Sequence, residues 1–436
     1  MRVALLYPEV YDMARFKEHR REFPPFGVLY LAAVVEQAGH EAAIHKVTPQ
    51  TTELDLTSFD AVGFSLASSA TYGFMREARE RSCIRSDALV MVGGVHCNFY
   101  PEQSLTDFRA HVASDGESEE TILAILERAH SKQFLGVAGV LWRDGWELKR
   151  EPSRPLLKSI DHLPLPARHL LPQDDFVISD RLAGTDTRMA HVMFSRGCPF
   201  PCSFCAAGQT RIQYRSGASA RRELIHLKDS YGIEGFAIVD DNFIVSKQKV
   251  SDICEQIEDL GLKWSALSRV DTIDEALLSK MARSGCIEVK YGMESGSELL
   301  LKTMRKNTKR EQIKRAVHAA VDAGIEAKVF IIHGFPGENM ETTRETIELL
   351  GELGSTLSRV SLFRFVPLPG TQVYDKAETY GVRGTHLQAD WDGNWSKFHI
   401  HHNERQWWGS DDDWQETEES YLALRDFVES NWNAQG

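Results

Sequence analysis

From residue 191 onward, six short apolar runs recur with amphipathic stretches between them. They are HVMFSRG (191–197), GFAIVDD (235–241), WSALSR (264–269), IEVKYGME (287–294), KVFIIHG (328–334) and VSLFRFVP (360–367). Each reads as a buried strand. The intervening stretches KVSDICEQIEDLG and REQIKRAVHAAVDAG have helical spacing and end at glycine, a common helix stop. Six strand–helix units in succession predict an α/β fold of partial (β/α)6 type, like part of a TIM barrel. In such barrels the chemistry gathers at the C-terminal strand ends. Those ends hold Arg196 beside three cysteines, Asp240 with Asp241, Ser268 with Arg269, Glu294 with Ser295, His333 with Gly334, and the segment 367–370.

The chain ahead of this repeat follows a related plan. RVALLY (2–7), AVGFSLAS (61–68), ALVMVGG (88–94) and AHVASDGE (110–117) read as strands running into loops. GVLYLAAVVEQAG (27–39) and SEETILAILERAH (118–130) read as helices. The alternation predicts a doubly wound, Rossmann-like domain over residues 1–130, whose ligands bind beyond the carboxyl ends of the strands. The loops there, 65–73, 93–102 and 114–121, are rich in Gly, Ser and polar residues, which permits close backbone approach to a ligand. A connector over 131–185 holds a hairpin with an Asp-Gly turn (139–151) and three prolines within 164–172, read as an extended strap. The barrel-like core spans 186–385. In the tail, 386–436, five of the nine tryptophans stand beside His399, His401 and His402, ahead of a helix, ETEESYLALRDFVESNW. Packing of this tail against a domain surface is favoured over a role in the substrate pocket.

Length and charge narrow the function. With 436 residues, more than one domain is expected. Hydrophobic content of 42% and charged content of 26% suit a globular protein. No run approaches a membrane span, and the start turns polar too soon for a signal peptide, so a reducing cytoplasm without structural disulfides is expected. The net charge of −13, with no basic stripe, argues against a nucleic-acid partner and tolerates cationic small substrates.

Of the seven cysteines, Cys198, Cys202 and Cys205 form a C-x3-C-x2-C pattern straight after a strand, in a loop curled by Gly197, Pro199 and Pro201. A structural zinc site wants four ligands, usually as two separated pairs, and no second pair follows. Cys254 falls on a helix and Cys286 opens a strand, so both read as buried fillers. An iron–sulfur cube also normally takes four thiolates. Three leave one iron open, which suits gripping a ligand.

This loop resembles the signature of radical S-adenosylmethionine (SAM) enzymes, in which three cysteines bind a [4Fe-4S] cluster whose fourth iron chelates SAM. The resemblance implies further roles. Phe204 would lie near the adenine. Asp240 and Asp241, in VDDNF, would meet the SAM amine. Glu294 and Ser295, in YGMESGS, would touch the ribose or methionine part. Gly334, in IIHGFPGE, would offer its backbone to the adenine, and FVPLPGT (365–371) resembles the sixth-strand loop. Arg269, whose fork suits a carboxylate, is expected among the SAM-binding residues, at the SAM carboxylate. Read singly, Asp240–Asp241 also fits a turn or helix cap, Glu294 a surface acid, and Arg269 a structural salt bridge.

PPFGVLYLAAVVEQAGHE, GGVHCNFYPEQSL and DGESEET resemble the cobalamin (B12)-binding-type domain that precedes many radical SAM cores. The D-x-H-x-x-G motif of other cobalamin domains is missing, and His96 lies in a different loop. Ser65, Ser68, Gly93, Gly94 and Glu117 are the loop residues expected to contact cobalamin. The resemblance implies an enzyme with a [4Fe-4S] cluster, SAM and cobalamin. It would be served by a flavodoxin- or ferredoxin-type reductant and would abstract hydrogen from a small polar biosynthetic substrate. Radical C-methylation is the leading outcome. The rivals are cobalamin-independent dehydration or redox change of a diol or amino sugar, and a non-catalytic cobalamin or iron–sulfur sensor.

Overall fold

Strand β1 (Arg2–Pro8) buries every side chain after Arg2, because it runs in the middle of a sheet with parallel neighbours on both sides. The computed structural model of the chain describes residues 1–9, 24–182, 185–381, 395–398 and 411–433. Two units are present: Met1–Leu157 with His162–Phe176 and Gly393–His399, and Lys158–Asp161 with Val177–Asp392 and Ile400–Gly436.

In the first unit β1 is followed by α1 (Phe26–Gln37), β2 (Glu41–Val47), β3 (Ala61–Ser65), α2 (Tyr72–Arg81), β4 (Leu89–Gly93), α3 (Val95–Phe99), α4 (Pro101–Asp107), β5 (Val112–Ser114), α5 (Glu119–Leu126), β6 (Val140–Asp144) and β7 (Glu147–Arg150). The strand order is β2-β1-β3-β4-β5-β6-β7. The first five strands are parallel, and the β6–β7 hairpin adds an antiparallel edge. This is a doubly wound sheet whose order reverses between β1 and β3, and sheets of this kind bind ligands beyond the carboxyl ends of their strands. Two features depart from the sequence reading. The hairpin assigned to the connector extends this sheet. Strand β2 went unread, because EAAIHKV mixes charged and small residues and is mostly half-buried at an edge. Helix α1 buries seven of its twelve residues. The proline strap crosses it, with the Ala167 N–H donating to the Leu29 carbonyl at 3.1 Å.

The second unit runs β8 (Val177–Leu182), β9 (Thr185–Val192), β10 (Ser195–Arg196), β11 (Gln213–Tyr214), α6 (Gly217–Tyr231), β12 (Gly235–Ile238), α7 (Lys247–Ile257), β13 (Lys263–Arg269), α8 (Glu275–Arg283), β14 (Cys286–Glu294), α9 (Glu298–Thr303), α10 (Arg310–Asp322), β15 (Glu326–His333), α11 (Met340–Leu353), β16 (Leu357–Arg364), α12 (Gln372–Asp375) and α13 (Asp411–Val428). Its main sheet has the order β16-β15-β14-β13-β12-β9-β8. Six strands are parallel and in chain order, as the repeat predicts, and β8 is an antiparallel edge. Strand β16 does not pair back to β9, so the sheet is a curled half-barrel. Ser216, Ser246, Asp274 and Asn339 accept backbone N–H bonds at the starts of α6, α7, α8 and α11, fixing the turns from strand to helix. Trp264 is fully buried and stacks on Phe236 with ring centroids 5.9 Å apart. Cys254 and Cys286 are buried on α7 and at the start of β14. The tail helix α13 packs on α11. No helix among the described residues is long and apolar enough to cross a membrane.

Candidate functional site

The run 191–197 is not one strand. Strand β9 ends at Val192, and Ser195–Arg196 pairs antiparallel with Gln213–Tyr214 to form a narrow neck. The thiol loop hangs from this neck. Gly197 has φ +85°, and a Cβ there would meet the Arg211 carbonyl oxygen at 2.5 Å, so only glycine starts the loop. The Gly197 N–H donates to Asp241 Oδ2 at 3.0 Å and the Cys198 N–H to Thr210 Oγ1 at 2.8 Å. The loop's middle is stitched elsewhere: the Ser203 N–H donates to the Met304 carbonyl at 2.9 Å, and the Val373 N–H to the Ser203 carbonyl at 3.2 Å.

The three sulfurs share one electrostatic field. Burial pushes the Cys202 thiol up, while Lys306 and Arg269 pull it back. Burial pushes Cys205 up to about 11, helped by Cys202 and Cys198. Among the described residues no three His, Cys, Asp or Glu side chains converge as a single ion requires. A cube makes no such demand, since each thiolate takes a different iron corner. Three free thiols without a fourth therefore fit a cube with one open iron and do not fit mononuclear zinc.

The strand ends carry the expected residues, several of them already engaged. Asp240 is buried. Its Oδ1 accepts from the Phe194 N–H at 2.8 Å and its Oδ2 from the Ser195 hydroxyl at 2.6 Å, and burial pushes its carboxyl up to about 8. Asp241 is exposed. Neither aspartate caps a helix. Glu294 is no surface acid: it is buried at φ +65° and ion-paired to buried Lys306 at 2.7 Å. Ser295 lies 3.3 Å from Thr346 Oγ1 on α11 and accepts from the Ser297 N–H at 3.1 Å. Gly334 follows β15, and a Cβ there would lie 3.3 Å from Thr417 Cγ2 of α13. Beside it, His333 Nε2 lies 3.1 Å from Ser420 Oγ of the same helix. Phe204 is half-buried in the thiol loop. Arg269 pairs with Asp271 at 2.7 Å and also reaches Cys202.

Contacts thus join Cys202 to Arg269, Arg269 to the Lys306 carbonyl, and Lys306 to Glu294. Sequence reading missed Lys306, which lies on no strand end, and Asn242, whose amide stands 4.0 Å from Cys198 Sγ. The quoted VDDNF contains Asn242, so its position was the available signal.

The loops of the first unit also have a defined shape. Gly94 has φ +100°, and a Cβ there would meet the Leu66 backbone at 2.9 Å. The Leu66 N–H donates to the Gly93 carbonyl at 2.7 Å and the His96 N–H to the Leu66 carbonyl at 2.9 Å, so the loops after β3 and β4 hold each other. Ser65 ends β3, and Ser68 caps a short turn through the Ala70 N–H at 3.2 Å. Glu117 is half-buried between β5 and α5. His96 is fully buried, with Nδ1 2.9 Å from Ser69 Oγ, and burial drops its pKa to about 3. Tyr72, Tyr100 and Trp395 surround it. These interlocked loops stand beyond the carboxyl ends of β3, β4 and β5, where a sheet of this type receives its ligand. Trp395 gives the tail a packing role, while His399, His401 and His402 lie outside the described residues.

Comparison with known proteins adds independent findings. Residues 192–350 match the radical SAM superfamily, and residues 17–126 match the B12 binding domain. The chain is 30% identical over 367 residues to an uncharacterised methyltransferase of Pyrococcus horikoshii, covering 81% of this chain and 78% of that one. It is 26% identical over 406 residues to the anaerobic magnesium-protoporphyrin IX monomethyl ester cyclase of Rubrivivax gelatinosus, covering 87% and 71%. Its fold is similar to that of TsrM, a radical S-adenosylmethionine methyltransferase from Kitasatospora setae solved with cobalamin and a [4Fe-4S] cluster. The TM-score is 0.66 at 19% identity, over 86% of this chain and 78% of that one. The chain therefore belongs to the radical SAM superfamily, among its cobalamin-dependent enzymes, and its cofactors are a [4Fe-4S] cluster, SAM and cobalamin.

Proposed function

We propose that the protein methylates an unactivated carbon of a small polar biosynthetic substrate. The observation that carries this is the 30% identical relative, named a methyltransferase, which matches across both units. When bound, the cluster and SAM supply a 5′-deoxyadenosyl radical, and cobalamin supplies the methyl group. The chain's own residues hold and orient. Cys198, Cys202 and Cys205 hold the iron. Asp240 fixes the start of the thiol loop through Phe194 and Ser195. Asp241 is the acceptor we assign to the SAM amine, supported by its exposure beside Gly197. Glu294 and Ser295 would meet the ribose or methionine part, Gly334 would offer its backbone to the adenine, and Phe204 would lie near the base. In the first unit Ser65, Ser68, Gly93, Gly94 and Glu117 would receive cobalamin, and Gly94 lets the loops after β3 and β4 pack against each other there. The reductant is of flavodoxin or ferredoxin type, and the setting is a reducing cytoplasm.

The B12 binding domain match counts against the cobalamin-independent dehydration or redox reading. The cyclase relative makes ring closure the rival to test. Protein purified anaerobically with cobalamin, then reduced and given SAM with a deuterated methyl group and extracts of its source cells, should form both 5′-deoxyadenosine and S-adenosylhomocysteine and deuterate a product. Cobalamin-loaded protein that forms 5′-deoxyadenosine without S-adenosylhomocysteine would overturn methyl transfer.

A further inference from the structure

Arg269 closes β13 beside the thiol loop and is only 6% exposed. Its Nε and Nη2 donate to the two oxygens of Asp271 at 2.8 and 2.7 Å, and Nη2 donates again to the Lys306 carbonyl at 2.8 Å. Its guanidinium carbon lies 4.1 Å from the centre of the Phe200 ring. A two-pronged carboxylate, a carbonyl and an aromatic face leave the planar group no freedom to turn. The remaining arm, Nη1, is thereby aimed at Cys202 Sγ, 3.3 Å away. Cys198 has a donor too, but the Asn242 amide is neutral and stands at 4.0 Å. A charged donor at the shorter distance dominates. Asp271 offsets part of the charge, yet it binds the far side of the guanidinium, so the positive end of the pair faces the sulfur.

We propose that Arg269 is a positioning residue that raises the reduction potential of the cluster held by Cys198, Cys202 and Cys205, and is not the partner of the SAM carboxylate. This rests on the reading of those cysteines as cluster ligands. Reduction takes one electron from the external reductant and adds one negative charge to the cluster, with no bond made or broken in the protein. A fixed positive end and a hydrogen bond at one sulfur stabilise the reduced form more than the oxidised form.

The test uses Arg269→Gln and Arg269→Lys in the full chain, reconstituted anaerobically beside the unaltered protein and Cys202→Ala. Iron and sulfide per chain are counted first, and the midpoint is then read by dithionite titration followed by electron paramagnetic resonance. Full iron in both arginine variants is expected. Arg269→Gln should show about a tenfold lower ratio of reduced to oxidised cluster at a given potential, equivalent to about 59 mV. Arg269→Lys, which keeps the charge and loses the fork, should fall between. Unchanged midpoints with full iron overturn the proposal, and unchanged midpoints with weakened SAM binding return Arg269 to the SAM carboxylate. If Arg269→Gln fails to hold iron, the lysine variant decides by the same criterion. Full iron in Cys202→Ala would instead refute the cluster reading itself.

Discussion

The indole of Trp395 stands edge-on to the imidazole of His96, with ring centroids 4.6 Å apart and planes at 86°. Trp395 also meets Tyr72 at 5.9 Å and Tyr100 at 5.0 Å, so one residue far along the chain closes an aromatic box in the first unit. It is 6% exposed. Trp395→Ala should therefore cost about 3–5 kcal/mol, seen in calorimetry as a lower transition for the first unit. Trp395→Phe should recover part of the loss. An unshifted transition in the alanine variant would show that the box carries little stability.

Cys202 is buried, and its sulfur accepts from Arg269 Nη1 at 3.3 Å. Cys202→Ala should reduce bound iron to near background and abolish 5′-deoxyadenosine formation. The far-UV circular dichroism should stay unchanged, because the loop's backbone bonds run through Ser203. Cys254→Ala, altering a buried residue of α7, should keep its iron. Equal iron in both variants would contradict the assignment.

Lys306 and Glu294 form a buried ion pair, 5% and 9% exposed at their side chains. Removing one member strands a charge away from water. Lys306→Met and Glu294→Gln should each destabilise by about 3–5 kcal/mol. The double variant should lose clearly less than the sum, because no charge is then left unpaired. Denaturant midpoints check this, and strict additivity would speak against coupling.

Burial, with a smaller effect from Arg364, drops the pKa of His333 from 6.5 to about 3. Between those values the unfolded chain binds a proton that the native state lacks. The native contribution is fully present above about pH 6.5 and is lost as the pH falls toward 3. His96 acts in the same direction. Asp240, pushed up to about 8 by burial, acts in the opposite one, since its native form keeps a proton that the unfolded chain releases. Comparison with His333→Gln isolates one contribution. The stability gap between the two proteins should narrow by about 2 kcal/mol from about pH 7 to about pH 5. A gap independent of pH would mean that His333 titrates normally in the native state.

Periodicity made the half-barrel and the doubly wound sheet readable, because buried parallel strands repeat an apolar signal that needs no partner to recognise. The thiol loop was readable for a similar reason: three sulfurs within eight positions are local. The missed features are non-local. Strand β8 pairs antiparallel to β9 from within a polar, proline-bearing stretch. Lys306 meets Glu294 across a turn and a short helix. The engagement of Asp240 by Ser195 joins residues 45 apart. Such pairings follow from the order of strands in the sheet, which a single residue pattern does not encode.

Ser203 donates to Met304 and accepts from Val373. These two anchors hold the middle of the thiol loop without involving sulfur. Zinc fingers, by contrast, need their metal in order to fold. Here the polypeptide prepares the cradle, and maturation becomes a filling step. Protein bleached by air should keep its shape and accept iron and sulfide again without passing through an unfolded state.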